Sequence, residues 1–273
     1  MKNQAPLKGK RIQKTYKWRT AMRKRGDGNR YFPGMYSKIR PAGDQYIENY
    51  LRDLDMRLIK EMKMKKAPAW YPTLCFSRKI GVGALEIADQ VAQDLQFQDT
   101  PYRVIDREIL NHIGNAAQLS NKTVAYYDER YPGKIAEFLM FLFGEKSFTE
   151  NDYSKLLFSS VLSLAGIGPT IFVGRGTHLI LPSDHTLSVR FICSDEFRIN
   201  RISKIMGIDK KEAARQLEEI DKDQAAFFKQ IFHKKQAAPL EFDMVINCET
   251  IPSPDAAAAI VKAAFLAKFP PKK

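Results

Sequence analysis

From residue 73 onward the chain alternates short β-rich apolar runs with stretches of helical period, and this alternation constrains its fold more than any other feature. TLCFSRK (73–79), YRVID (102–106), TIFVG (170–174), LSVRFICS (187–194) and MVINC (244–248) read as strands. ALEIADQVAQDL (84–95), REILNHIGNAA (107–117), an Asn/Ser-punctuated stretch to about 165, EFRINRISKIM (196–206), KKEAARQLEEIDKDQAAFFKQIF (210–232) and PDAAAAIVKAAFLAKF (254–269) read as helices. Strands alternating with helices predict an α/β fold with a parallel sheet covered on both faces. In such folds ligands bind at the carboxyl ends of the strands. No internal repeat is visible.

Composition narrows the field. At 273 residues, with 44% apolar and 27% charged, the chain suits one medium domain with an appendage, or two small domains. Cys75, Cys193 and Cys248 lie far apart with no C-x-x-C pair, which excludes a disulfide scaffold and a cysteine zinc site. They read as small buried hydrophobes in a reducing, cytoplasmic setting. No apolar run follows the N-terminal charges, so no secretory signal is expected. Leu156–Gly174 is uncharged over 19 residues, a length that suggests a membrane span. Gly166, Gly168 and Pro169 interrupt it, so it reads as a helix, a turn and a buried strand. His112, His178, His185 and His233 have no metal-ligand spacing and no G-x-S-x-G run occurs, which removes zinc and serine-hydrolase chemistry.

Charge divides the chain in two. Residues 1–70 hold 19 basic and 6 acidic residues, whereas residues 71–273 hold 25 of each. In the leader KGKRIQKTYKWRTAMRKRGDGNRYFPGMYSKIRP, basic residues alternate with Tyr16, Trp18, Tyr31, Phe32 and Tyr36. That mixture suits phosphate contact with base stacking, an anionic membrane surface or an acidic partner, and equally a solvated tail. Tyr46, Ile47, Tyr50, Leu51, Leu54, Leu58 and Met62 then recur at helical spacing after a candidate cap, Asp44. A connecting helix ending before Pro68 and Pro72 is expected.

Three elements carry candidate chemistry. The first strand runs into Ser77-Arg78-Lys79-Ile80-Gly81-Val82-Gly83-Ala84 and a helix. Glycines there let backbone approach a phosphate at a helix N-terminus. The loop reads as a kinase-type phosphate cradle, as a dinucleotide site with Asp106 on a ribose, or as a plain tight turn. The Walker lysine run is missing, and Glu86 stands at the third glycine of the dinucleotide pattern. Second, Arg175 sits between glycines at a strand's carboxyl end, where it would grip a phosphate bidentately or pair with a carboxylate. Third, Arg198, Arg201 and Lys204 share a helical face, either solvated or cationic by design.

Taken in order, SRKIGVGALEIADQVAQDL, VIDREIL, TIFVGRGTHLIL, VRFICSDEFRINRI, EEIDKDQAAFF and FDMVINC resemble the cytidylate kinase-like family of P-loop nucleoside monophosphate kinases. The resemblance implies a P-loop kinase-like parallel sheet flanked by helices with a helical lid, formed by 71–273. The basic extension, 1–70, is outside it. It implies transfer of the ATP γ-phosphoryl to CMP or a similar nucleotide, with Mg²⁺. By the same resemblance Ser77 to Ala84 bind the nucleotide phosphates, Asp106, Arg107, Arg175 and Asp221 bind substrate, and Arg175, Arg198, Arg201 and Lys222 are catalytic. The chain departs from the family pattern at the loop, where Val82 and Leu85 replace Ser and Arg, and at the lid, where Gln224 replaces Arg. Those departures imply an alternative: a weak or inactive kinase-like nucleotide-binding module that its leader docks on nucleic acid or another polyanion.

Overall fold

A computed structural model of the chain describes residues 71–106, 110, 152–234, 237–251 and 253–270. The leader, the connecting helix with its Asp44 cap, and Arg107 lie outside the described residues. The elements run, in chain order, β1 (Thr73–Arg78), α1 (Ala84–Asp94), β2 (Gln96–Phe97), β3 (Thr100–Pro101), β4 (Arg103–Asp106), α2 (Asp152–Ile167), β5 (Thr170–Val173), β6 (Thr186–Ile192), α3 (Asp195–Met206), α4 (Lys210–Phe232), β7 (Met244–Asn247) and α5 (Pro254–Lys268).

Five strands form one parallel sheet in the order β4-β5-β1-β6-β7. Both faces are covered, as an all-parallel sheet requires. Leu74 and Phe76 of β1 enter a core with Ile87, Ala88 and Val91 of α1 and Val261 and Phe265 of α5. Cys75, one residue out of phase, enters the opposite core with Phe158, Val161 and Ala165 of α2 and Ile231 and Phe232 of α4. Each fully buried Phe or Leu in these clusters contributes about 1.5–3 kcal/mol. The uncharged stretch 156–174 is thus the end of α2, a turn and β5. Among the described residues no helix is long and apolar enough to cross a membrane.

Local chemistry sets the helix starts. Ser194 accepts from the Phe197 N–H, Asp209 from Glu212 and Ser253 from Ala256, each capping the helix that follows. α1 differs, because Gly83 precedes it and no side chain caps it. From central β1 the chain crosses to β4 and β5 on one side, then to β6 and β7 on the other. The crevice at the carboxyl end of β1 therefore lies where the connections change direction, the favoured ligand position in this architecture.

Candidate functional site

The loop after β1 is held by Arg198 of α3. Arg198 is 1% exposed. Its Nε donates to the Ile80 carbonyl at 2.7 Å, Nη1 to Asp195 at 2.6 Å and to Asp221 at 2.9 Å, and Nη2 to Asp221 at 2.7 Å. Burial alone would weaken the hold on its proton, but the bonds and charges of Asp221 and Asp195 outweigh it and leave the pKa above the ordinary arginine value. The Asp195 carboxyl in turn is held below the usual range, first by its bond to Arg198. Gly81 makes this contact possible. Its φ is +93°, and a Cβ there would stand 3.2 Å from Arg198 Cβ and 3.3 Å from Ile202. Any larger residue would be strained and would push the loop off α3.

Two further cations border the loop. Lys79 Nζ lies 3.2 Å from Asp221 and 3.7 Å from Asp195. Arg201 Nη2 pairs with Glu86 in the first turn of α1 at 2.5 Å. The same guanidinium lies alongside Gly83, 3.5 Å from where a Cβ would be. The shared face expected for Arg198, Arg201 and Lys204 therefore divides: the first two turn to the loop and Lys204 is exposed.

On the other side of β1, Gly174 to Thr177 follow β5. Gly174 N–H donates to the Phe76 carbonyl at 2.8 Å, which ties this turn to β1. Arg175 adopts φ 60°, a left-handed conformation that a non-glycine residue holds at about 1 kcal/mol or more. Its guanidinium stacks over the Phe227 ring of α4, 4.4 Å from the centroid. The Arg78 guanidinium stands beside Gly174, 3.6 Å from a Cβ placed there. Asp106, 1% exposed, ends β4 in register with Val173.

Sequence reasoning missed two residues here. Arg190 of β6, half-buried, donates from Nη1 to Ser77 Oγ at 2.7 Å. Burial lowers its pKa, an effect the charge of Asp221 offsets in part. The signal available was one cation inside an otherwise uncharged strand. His178 lies between Phe242 and Phe228, with ring centroids at 4.5 and 6.3 Å. Burial pushes its pKa down to about 4.

Of the expected site residues, Ser77 to Ala84, Arg198, Arg201 and Asp221 come together around the loop, and Asp106 and Arg175 end neighbouring strands. Asp221 is bonded to Arg198 and close to Lys79. Lys222 is separate: its side chain is 73% exposed and pairs with Glu218 at 2.6 Å.

Comparison with known proteins agrees with this architecture. An uncharacterised protein of Eubacterium ventriosum superposes with a TM-score of 0.55 at 16% identity, over 73% of this chain and 99% of that one. A shikimate kinase of Bacteroides thetaiotaomicron gives 0.35 at 13% identity, over 71% and 96%. A dephospho-CoA kinase of Campylobacter jejuni gives 0.29 at 13%, over 73% and 98%. Only the first is near enough to speak to the fold. No curated protein matches the chain. A family model, the cytidylate kinase-like family, matches residues 73–250, the segment that holds the whole sheet and both sides of the crevice. The chain therefore belongs to the cytidylate kinase-like family, with a P-loop kinase-type fold.

Proposed function

We propose that the chain is a nucleoside monophosphate kinase that transfers the γ-phosphoryl of ATP to CMP or a similar nucleotide. Residues 71–273 would be its nucleotide-binding domain and 1–70 a basic extension able to dock on nucleic acid or another polyanion. The observation that carries this reading is the N-terminus of α1, which has no side-chain cap and opens at the carboxyl edge of a parallel sheet beside Arg201, with Arg78, Lys79 and Arg175 at the ends of β1 and β5. Phosphoryl transfer needs mainly positioning and charge neutralisation, and backbone N–H groups with guanidiniums supply both.

Each residue then has a role. Ser77 to Ala84 cradle the donor phosphates, and Arg201 borders them at Gly83. Arg198 and Asp221 act as positioning residues that fix Ile80 and the loop backbone. Arg175 takes the acceptor phosphate, with Asp106 and Arg107 facing the acceptor nucleotide. Mg²⁺ bound with the nucleotide would supply further neutralisation of phosphate charge. Among the described residues no group of three or more His, Cys, Asp or Glu could hold a metal ion. Burial pushes the thiols of Cys75, Cys193 and Cys248 up to about 12, 11 and 12, which fits inert cysteines.

The test is ADP formation by the full chain with ATP, Mg²⁺ and each of CMP, dCMP, UMP and AMP. Turnover on one monophosphate is expected. Arg175→Ala should lower kcat/KM by about 100-fold or more while the fold persists. An unchanged kcat/KM removes Arg175 from the reaction. One observation favours the second reading, a weak or inactive nucleotide-binding module. Lys79, Arg198 and Arg201 already face carboxylates, which lowers the net positive field at the loop. Nucleotide binding by calorimetry without turnover would select that reading.

A further inference from the structure

Arg190 on β6 is the direct parallel neighbour of Ser77 on β1, so both side chains rise from the same face of the sheet. Its bond from Nη1 to Ser77 Oγ is its only hydrogen bond among the described residues, and it forms no ion pair with a described carboxylate. Asp221 is near enough to influence its charge, but both Asp221 oxygens are already bonded to Arg198. A guanidinium stays protonated in a protein. The fold therefore keeps a half-buried positive charge that is paired with no described carboxylate, an arrangement that costs free energy and that a bound anion would relieve. With Nη1 on Ser77, the Nε–Nη2 edge is neither bonded nor sealed from solvent. That is the edge with which arginine takes an oxyanion side-on. Arg190 is thus anchored at the start of the β1 loop, because Ser77 immediately precedes Arg78 to Gly83.

We propose that Arg190 is an anion-binding residue of this site, whose open Nε–Nη2 edge takes a phosphoryl oxygen of the bound nucleotide at the foot of the β1 loop. This rests on the nucleotide-kinase reading for the identity of the ligand, while the anion chemistry stands on Arg190 itself. The donor triphosphate and the acceptor monophosphate both carry such a phosphate, and binding separates the two.

The experiment is calorimetric titration of the full chain and its Arg190→Met and Arg190→Lys variants with pyrophosphate, ATP, CMP and cytidine, with circular dichroism to verify folding. Arg190→Met should weaken pyrophosphate and one nucleotide by tenfold or more and leave any affinity for cytidine unchanged. Arg190→Lys keeps the charge without the fork and should recover part of the loss. A loss confined to ATP assigns the donor phosphate; one confined to CMP assigns the acceptor. Arg190-dependent pyrophosphate binding without nucleotide binding would retain the anion site and remove the kinase reading. Equal affinities in wild type and Arg190→Met, or no phosphate ligand bound by wild type, would overturn the proposal. If Arg190→Met does not fold, Arg190→Lys decides: at least threefold weaker pyrophosphate binding supports it, and no change overturns it.

Discussion

Two guanidiniums meet the same loop in opposite ways. Arg198 fastens the Ile80 carbonyl and is surrounded by Asp195 and Asp221. Arg190 fastens the Ser77 hydroxyl, with no carboxylate of its own. Arg198 is buried and Arg190 half-buried, and a charge taken out of water is tolerated only when something compensates it. On the Arg198 side the compensation is internal and holds α3, α4 and the loop together. On the Arg190 side it is left to a ligand. The contrast separates a cation that builds the site from one that serves it, although the sequence writes both as Arg.

Substituting each arginine by methionine gives the largest expected effect. Arg198→Met leaves Asp221 and the Ile80 carbonyl without their main partner. Breaking a buried pair costs about 3–5 kcal/mol, and the lower end applies because Asp195 and Asp221 both reach water. At about 2–4 °C per kcal/mol, thermal unfolding should fall by on the order of 10 °C. Arg190→Met removes an uncompensated charge, so its stability should stay within about 1 kcal/mol of wild type or rise. Equal destabilisation by the two variants in a differential scanning measurement would erase the distinction.

His178 gives the next largest effect and shows a third response to burial. Its Nε2 lies 3.5 Å from Glu241 Oε2, but Glu241 already holds Lys234 through Oε1 at 2.5 Å. Burial therefore prevails and the ring gives up its proton, which arginine cannot do. The folded pKa, about 4, lies below the ordinary 6.5, so on acidification the unfolded chain takes up the proton first. The stability contributed by neutral His178 is complete above pH 6.5 and lost as pH falls towards 4. Unfolding of the wild type between pH 7 and 5 should lose several degrees of Tm, and His178→Gln should lose less over the same interval. Parallel pH curves would mean that His178 titrates normally in the folded protein.

The sheet was legible because burial on both faces imposes near-continuous apolar strands, and β1, β5, β6 and β7 fall within two residues of the runs that predict them. The β2–β3 hairpin was not. Its turn residues Gln98 and Asp99 adopt φ 48° and 60° without the glycine that usually marks such a turn. At the site, the glycine loop and Arg175 stood out because glycines and a charge at a strand end are local signals. The division of labour between arginines did not, because it depends on partners distant in sequence. Asp221 lies 23 residues from Arg198, and Ser77 lies 113 from Arg190. Spacing on α3 predicts which residues share a face but not which of them find carboxylates. Arg190, a single cation in a strand, had no periodic pattern to mark it.

Lys222 should show the smallest effect, and helix geometry gives the reason. Adjacent residues on a helix point about 100° apart. Asp221 is fixed towards Arg198 and Lys79, which turns Lys222 outwards to its exposed pair with Glu218. Such i,i+4 surface pairs contribute little, so Lys222→Met should leave Tm unchanged. With Asp221 anchored, Lys222 cannot also face the crevice, and kcat/KM for the preferred monophosphate should change less than threefold. A loss of 100-fold with an unchanged Tm would mean that α4 rotates when nucleotide binds. Asp221 would then have to release Arg198 during the cycle, and Arg198 would join Arg190 as a cation available to the substrate.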